Sequence, residues 1–282
     1  MLKIRKVERI LQSKMTTEGA GVLLRRAFGF DELGLLDPFL LLDFFGSDDP
    51  DDYTAGFPWH PHRGIETITY MVEGVVEHAD SIGNKGVISS GGIQWMCAGS
   101  GIIHQEMPKP YSGTMRGFQL WVNIPSAHKM KIPDYQEFTV EKIPVVDAGS
   151  NIKVKVIAGE FCEISGPVSD PFIEPLYFDV SVPANSGFRT MVEPGHTVFA
   201  FVFEGEGTFN EAKSTLVTSG QLVKLSDGDT IEVSTQDKSV RFLLVAGKPL
   251  NEPVAWRGPI VMNTQEELLT AFREFREGTF VK

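Results

Sequence analysis

Short apolar runs bounded by Gly, Pro, Ser or Asp recur along the whole chain, and most carry β-branched or aromatic residues. Ile65–Val72, Gly92–Cys97, Ile102–Met107, Gly117–Ile124, Leu176–Val182, Val198–Phe203 and Val240–Ala246 have the length and composition of strands. Phe39–Phe45 (FLLLDFF) is apolar except for Asp43 and reads as a mostly buried strand. The acidic GSDDPDD that follows, Gly46–Asp52, cannot pack and should be solvated. One stretch has helical spacing instead. Thr264 and Glu267 form a capping box, Leu268, Leu269, Phe272 and Phe275 make one apolar face, and Gly278 stands where a C-terminal cap belongs. The pattern predicts an all-β protein of sandwich or barrel type, closed by one helix at about residues 264–277.

A weak internal repeat suggests how many such units there are. MVEG at Met71–Gly74 resembles VFEG at Val202–Gly205, and each follows an alternating apolar strand. The turn Ser90–Gly92 before IQWM resembles Asp227–Asp229 before TIEV. Two copies of one β unit, joined near residues 125–150, account for a chain of 282 residues, which is near the upper size for one core. The expected domains are 1–133 and 134–282.

Composition narrows the function classes. A net charge of −11 disfavours nonspecific binding to nucleic acid or to anionic membranes. The locally basic N-terminal stretch (Lys3, Arg5, Lys6, Arg9, Lys14, Arg25, Arg26) interleaves cations with apolar residues, as a half-exposed strand does. Cys97 and Cys162 lie too far apart for a CxxC pair and give no disulfide framework, so the chain reads as intracellular and reduced. With neither an apolar run long enough to span a bilayer nor a signal-peptide core, a soluble cytoplasmic protein is expected, and nuclear entry is compatible with it. No coiled-coil heptads occur, and a monomer is the simplest state.

The chemistry concentrates in two segments, HPHRGIE (His60–Glu66) and GSGIIHQE (Gly99–Glu106). Residues two apart on a strand share a face, so His60 and His62 aim at one point, as do His104 and Glu106. If the two segments are neighbouring strands, three imidazoles and a carboxylate converge. Imidazole suits Fe, Zn, Cu and Ni, and an added carboxylate oxygen leans towards iron or manganese. Three nitrogens and one oxygen leave two open positions on an octahedral ion, whereas structural zinc is closed and usually recruits Cys. Glu66, four residues after His62, has the same parity, so parity alone leaves Glu66 and Glu106 both open as the acidic ligand. His78, His128 and His196 have no partners in sequence. An offset of 131 residues places Met191, Glu193 and Thr197 where the first copy has His60, His62 and Glu66, so no second site of this kind is expected.

FPWHPHRGIETITYMVEG (Phe57–Gly74) and IQWMCAGSGIIHQEMP (Ile93–Pro108) resemble the signature segments of the pirin family of the cupin superfamily. The likeness extends to Leu36–Phe45, Phe118–Pro125, Phe242–Val254 and Gly258–Leu268. It implies a bicupin of two β-barrels, with Fe(II) in the N-terminal barrel and no metal in the C-terminal one; Mn, Ni, Cu or Zn are the expected substitutes. It also implies the ligand set His60, His62, His104 and Glu106, which makes Glu66 a supporting residue that orients a ligand imidazole. Two positions depart from the signature: Trp59 stands where aspartate is frequent, and Cys97 where threonine is common.

Two functions follow from this resemblance. The first is a quercetin 2,3-dioxygenase, which opens a flavonol with O2 and releases carbon monoxide. Glu106 would serve as the base for the 3-hydroxyl proton, and Phe57, Met96 and Trp121 would line the pocket against a planar substrate or simply fill the barrel core. The second is a metal-dependent protein-binding module acting as a transcriptional co-regulator, for which the acidic balance favours a basic protein partner. A cupin isomerase using the same ligands is a weaker third.

Overall fold

The computed structural model describes residues 2–170, 172–210 and 216–282. It is a mostly β protein with a single α-helix among the described residues, Gln265–Glu277, near the C-terminus. The chain forms two compact units that do not follow chain order. One comprises Met1–Lys14, Gly34–Pro38 and Glu141–Pro249; the other comprises Met15–Leu33, Phe39–Val140 and Leu250–Lys282. The boundary expected at 133/134 thus gives way to one at Val140/Glu141, and each end of the chain joins the unit opposite to its order in sequence. The cause is long-range pairing. Strand Val7–Gln12 runs antiparallel to Gln221–Leu225, and the buried Arg5 donates to the carbonyls of Glu193, His196 and Ser226. At the other end the helix packs beside the hairpin Ala255–Arg257/Ile260–Met262, and its Glu274 binds Arg63.

The unit holding residues 141–249 is built on a ten-stranded sheet arrangement. Its interior is apolar: Phe178, Val180, Phe188, Val202, Phe209 and Phe242 are all buried in one cluster, each contributing roughly 1.5–3 kcal/mol. Thr197–Phe209, longer than the expected Val198–Phe203, is its longest strand and pairs on both sides. The position matching His60 is Met191, which is 54% exposed at a strand end. Among the described residues, no His/Cys/Asp/Glu group of metal-binding geometry lies in this unit.

The second unit has a seven-stranded and a four-stranded sheet. Phe39–Ser47 lies between Val22–Phe28 and Met115–Asn123, and Met115–Asn123 pairs in turn with Ile65–Glu73. In the smaller sheet, Ile102–Pro108 is flanked by Phe57–His62 and Val75–Asp80. The strand Phe57–His62 ends at the tight turn Arg63–Gly64. Gly64 has φ +75°, and a Cβ there would lie 1.9 Å from the Val261 carbonyl oxygen, so only glycine fits. Gly46–Asp52 is largely exposed, as its charge requires, although it keeps a short 3-10 turn at Pro50–Asp52.

The helix ends follow their sequence signals. The Thr264 side chain accepts from the Glu267 amide while the Glu267 carboxylate accepts from the Thr264 amide, and Gly278 closes the helix at φ +72°. The packed face differs from expectation at two positions. Leu268 and Ala271 are buried and Phe272 is partly buried, but Leu269, one step round the helix from Leu268, is 63% exposed, and Phe275 in the last turn is 40% exposed with only its ring edge against Phe280. Thr264→Ala should cost about 1 kcal/mol of stability, and Thr264→Ser almost none, measured by chemical denaturation.

Candidate metal centre

Two strands of the smaller sheet build the centre. His60 and His62 share a face of Phe57–His62, and cross-strand register sets His104 of Ile102–Pro108 directly opposite His60. The three rings close on one another, with centroids 4.4 Å apart for His60–His104, 4.8 Å for His60–His62 and 5.0 Å for His62–His104. One ring nitrogen from each lies within 4.8 Å of the other two. This is the trio that strand parity predicts.

The hydrogen bonds fix which nitrogens face the centre. His60 Nδ1 is 2.9 Å from the Pro58 carbonyl oxygen, and His62 Nδ1 is 3.1 Å from that of Pro259. A carbonyl oxygen only accepts, so both Nδ1 atoms carry the proton and both Nε2 atoms present lone pairs. Those two Nε2 atoms stand 3.1 Å apart. Two lone pairs at that separation repel unless a cation lies between them. Cis ligands about 2.1 Å from one octahedral ion are themselves roughly 3 Å apart, so the pair fits a shared metal. His104 is 1% exposed, and neither of its ring nitrogens has a hydrogen-bond partner. A buried imidazole left in that state costs stability unless something binds it. Burial also holds His62 and His104 well below the usual histidine range, with the neighbouring imidazoles adding to the effect, and it lowers His60 against the pull of the Pro58 carbonyl. The imidazoles are therefore neutral, the form that binds metal. The residues fit a metal ion.

Glu106 and Glu66 occupy different surroundings. Glu106 follows His104 by two residues, is buried, and lines the same cavity as His60 and His62. Its Oε1 is 2.8 Å from the Thr69 hydroxyl, and burial pushes its carboxyl up to about 6 against that hydrogen bond. It stands outside the close trio of ligand atoms. Glu66 instead accepts from Trp95 Nε1 at 2.7 Å and sits 3.5 Å from Lys131 Nζ. Parity failed for Glu66 because the turn at Gly64 separates its strand from that of His62. The carbonyls of Pro58 and Pro259, rather than Glu66, orient the two imidazoles, and Pro259 lies nearly two hundred residues from His62 in sequence. No local signal could have found it.

A cavity of about 770 Å³ opens onto His60 and His62. Its walls include Leu41, Phe45, Phe57, Trp121 and Trp256. The Trp121 ring meets His62 edge-on, with centroids 5.1 Å apart at 84°. Met96, for which the sequence allows either lining or core, is fully buried in a core cluster with Leu40, Ile65 and Ile102. Polar groups enter the apolar lining at Thr69, Gln119, Asp43, Arg26 and Glu18. Arg26 grips Asp43 through two 2.8 Å hydrogen bonds and Glu18 at 2.9 Å; burial pushes the Asp43 carboxyl up to about 6 despite the arginine.

Of the remaining singled-out residues, Trp59 and Cys97 lie apart from this chemistry, and His78 borders it. Trp59 is 54% exposed. Cys97 is buried, and burial with the nearby Glu66 pushes its thiol up to about 12, leaving it unreactive. His78, without a sequence partner, lies next to Glu106 across the sheet and contacts Gln94 and Glu137. No helix among the described residues is long and apolar enough to cross a membrane.

Comparisons with known proteins agree with this architecture. Residues 21–122 match the family profile described as Pirin, and residues 177–281 match the Pirin C-terminal cupin domain. A pirin-like protein of Caulobacter vibrioides is 46% identical, the alignment covering 99% of this chain and 100% of the relative. A Pseudomonas aeruginosa protein provisionally named a quercetin 2,3-dioxygenase is 41% identical, over 99% of both chains. The crystal structure of a quercetin 2,3-dioxygenase from Acinetobacter baumannii superposes with a TM-score of 0.92 at 33% identity, over 99% of this chain and 100% of that one. With both family domains matched and relatives similar over their full lengths, the chain belongs to the pirin family and carries its two cupin domains.

Proposed function

We propose that the chain is a mononuclear Fe(II) dioxygenase acting on a flavonol of the quercetin class, with His60, His62, His104 and Glu106 holding the metal. The observation that carries this reading is the pair of proton-free Nε2 atoms 3.1 Å apart at the end of an apolar cavity. The names of the Pseudomonas and Acinetobacter relatives support the substrate class. The bound metal would supply a Lewis-acid and redox centre at which a deprotonated flavonol and O2 meet.

The chain's own residues do the rest. Pro58 and Pro259 hold two imidazoles in the ligating tautomer. Trp121, Phe57 and Leu41 supply apolar walls that exclude water and take the flat faces of the ligand. Glu106, held by Thr69 beside the histidines, would complete the ligand set, and its carboxylate is the base in reach of the 3-hydroxyl proton. A cavity of about 770 Å³ falls within the usual range of small-molecule sites.

Anaerobic loading with Fe(II), followed by quercetin and oxygen, tests the reading. Metal-dependent loss of flavonol absorbance with carbon monoxide release is expected, and no turnover above the metal-free control would overturn the enzyme reading for this substrate. Glu106→Gln should lower metal retention and turnover at least tenfold while Glu66→Gln spares metal retention; the reverse result would overturn the ligand assignment. The net charge of −11 favours one second reading, a metal-dependent surface for a basic protein partner. That reading expects metal-dependent partner binding without turnover.

A further inference from the structure

A row of polar side chains crosses the larger sheet of the metal-binding unit, one from each of five adjacent strands. Strand register sets Arg26 opposite Asp43, Asp43 opposite Gln119, Gln119 opposite Thr69, and Thr69 opposite Gln94. The rows two residues to either side are mainly apolar. Leu24, Phe45, Gly117 and Met71 form one, while Leu41, Trp121 and Met96 stand in the other with Thr67 between the last two. The row is continuous with the metal centre, because the Thr69 hydroxyl lies 2.8 Å from Glu106 and 2.6 Å from Gln119. Its members from Thr69 outward to Arg26, with Glu18 behind Arg26, all line the cavity.

The members of the row pair with one another, Arg26 with Asp43 and Thr69 with both Glu106 and Gln119, which makes an ordered polar strip in an otherwise apolar wall. Two of the roughly four lone-pair positions of the Asp43 carboxylate are taken by Arg26, which leaves acceptor capacity facing the cavity. Arg26 is also occupied by Glu18, so it offers no free cation to a ligand carboxylate. The outer end of the row carries two carboxylates against one guanidinium, while Arg257 adds a second cation elsewhere in the cavity lining. The carboxylates of the row accept hydrogen bonds from neutral donors. Two strand spacings separate Thr69 from Asp43, about 10 Å. That is comparable to the span from the 4-carbonyl oxygen of a flavonol, the second of its chelating oxygens, to its 4′-hydroxyl.

We infer that the Asp43–Arg26 pair, with Gln119, is a specificity subsite for the hydroxyl groups at the far end of a neutral planar polyphenol whose chelating oxygens sit at the histidines. This rests on the flavonol reading above. Phenolic O–H groups donate to Asp43, Gln119 bridges the middle of the ligand edge, and the apolar rows clasp the ring faces. The pair therefore discriminates among flavonols by their B-ring hydroxylation.

The test compares quercetin with galangin, which lacks both B-ring hydroxyls, by equilibrium binding to Fe(II)-loaded protein without oxygen. The unsubstituted protein should bind quercetin about tenfold more tightly, the effect of a hydrogen bond to a charged group. In the double variant Arg26→Met/Asp43→Leu, which removes both charges together and so avoids a stranded ion, the ratio should collapse to about one with galangin affinity unchanged. The near-isosteric Asp43→Asn should give an intermediate ratio and serves where the double variant does not fold. A ratio that stays near ten in Asp43→Asn and the double variant, or a ratio of one in the unsubstituted protein, overturns the subsite and leaves the flavonol reading standing. Failure of the unsubstituted protein to bind either flavonol overturns the flavonol reading itself, and the subsite with it.

Discussion

His104→Leu is expected to make the metal-free protein more stable while abolishing its stabilisation by metal. His104 is 1% exposed with both ring nitrogens unpartnered, and a buried polar group in that condition costs about 1–3 kcal/mol. Leucine has a similar volume and no polar atom, so the gain is reduced only by a packing mismatch of under about 1.5 kcal/mol. A net gain of about 1 kcal/mol is expected without metal. With metal the order inverts. A metal held at a thousandfold its Kd stabilises the unsubstituted protein by about 4 kcal/mol, and the variant, lacking one of three convergent nitrogens, loses almost all of that. Denaturant unfolding in chelator and in excess metal measures both quantities. A variant less stable than the unsubstituted protein in chelator, yet still protected by metal, would contradict the assignment of His104 as a ligand.

The second large effect concerns Arg63, the residue after His62. Its guanidinium is buried, donates to Glu274 and to the Phe280 carbonyl at 2.7 Å each, and lies 4.2 Å over the Phe280 ring. Removing one partner of a buried charge pair costs about 3–5 kcal/mol, so Arg63→Met should lose about 3 kcal/mol; Lys282, also 2.7 Å from Glu274, keeps the loss at the lower end. The consequence reaches the metal. Arg63 O accepts from the Val261 amide, and Pro259 in the same hairpin holds His62 Nδ1. Loosening this segment frees the His62 ring, and a tenfold to hundredfold loss of metal affinity is expected, as for other partners of ligand imidazoles. Hydrogen exchange over residues 279–282 should quicken in the same variant. Unchanged exchange and unchanged metal affinity would show that the C-terminal segment does not position the site.

What the sequence made legible is what local geometry determines. His60 with His62, and His104 with Glu106, are pairs within single strands; the structure brings the three histidines together, while Glu106, past a register shift against the neighbouring strand, shares the cavity but stands outside the trio. The Thr264–Glu267 box and Gly278 are local too, and both ends of the helix form where these residues stand. Parity misled where a turn intervened. Glu66 lies beyond Gly64, so its side chain goes to Trp95 and Lys131. Met96 has strand composition like Trp121, but only tertiary packing separates a core methionine from a cavity tryptophan. Features that need register between distant segments were not legible at all. The Arg26–Asp43–Gln119–Thr69 row spans four strands, the Pro259 carbonyl comes from the far end of the chain, and the terminal segments join units that chain order does not suggest.

A single metal ion held by His60, His62 and His104 requires a metal stoichiometry of one that depends on those three residues. Elemental analysis after anaerobic loading with Fe(II) and removal of loosely bound metal should give one equivalent per chain, falling to near zero in the triple variant His60→Ala/His62→Ala/His104→Ala. A full equivalent retained by that triple variant, or none retained by the unsubstituted chain, would contradict this ligand set.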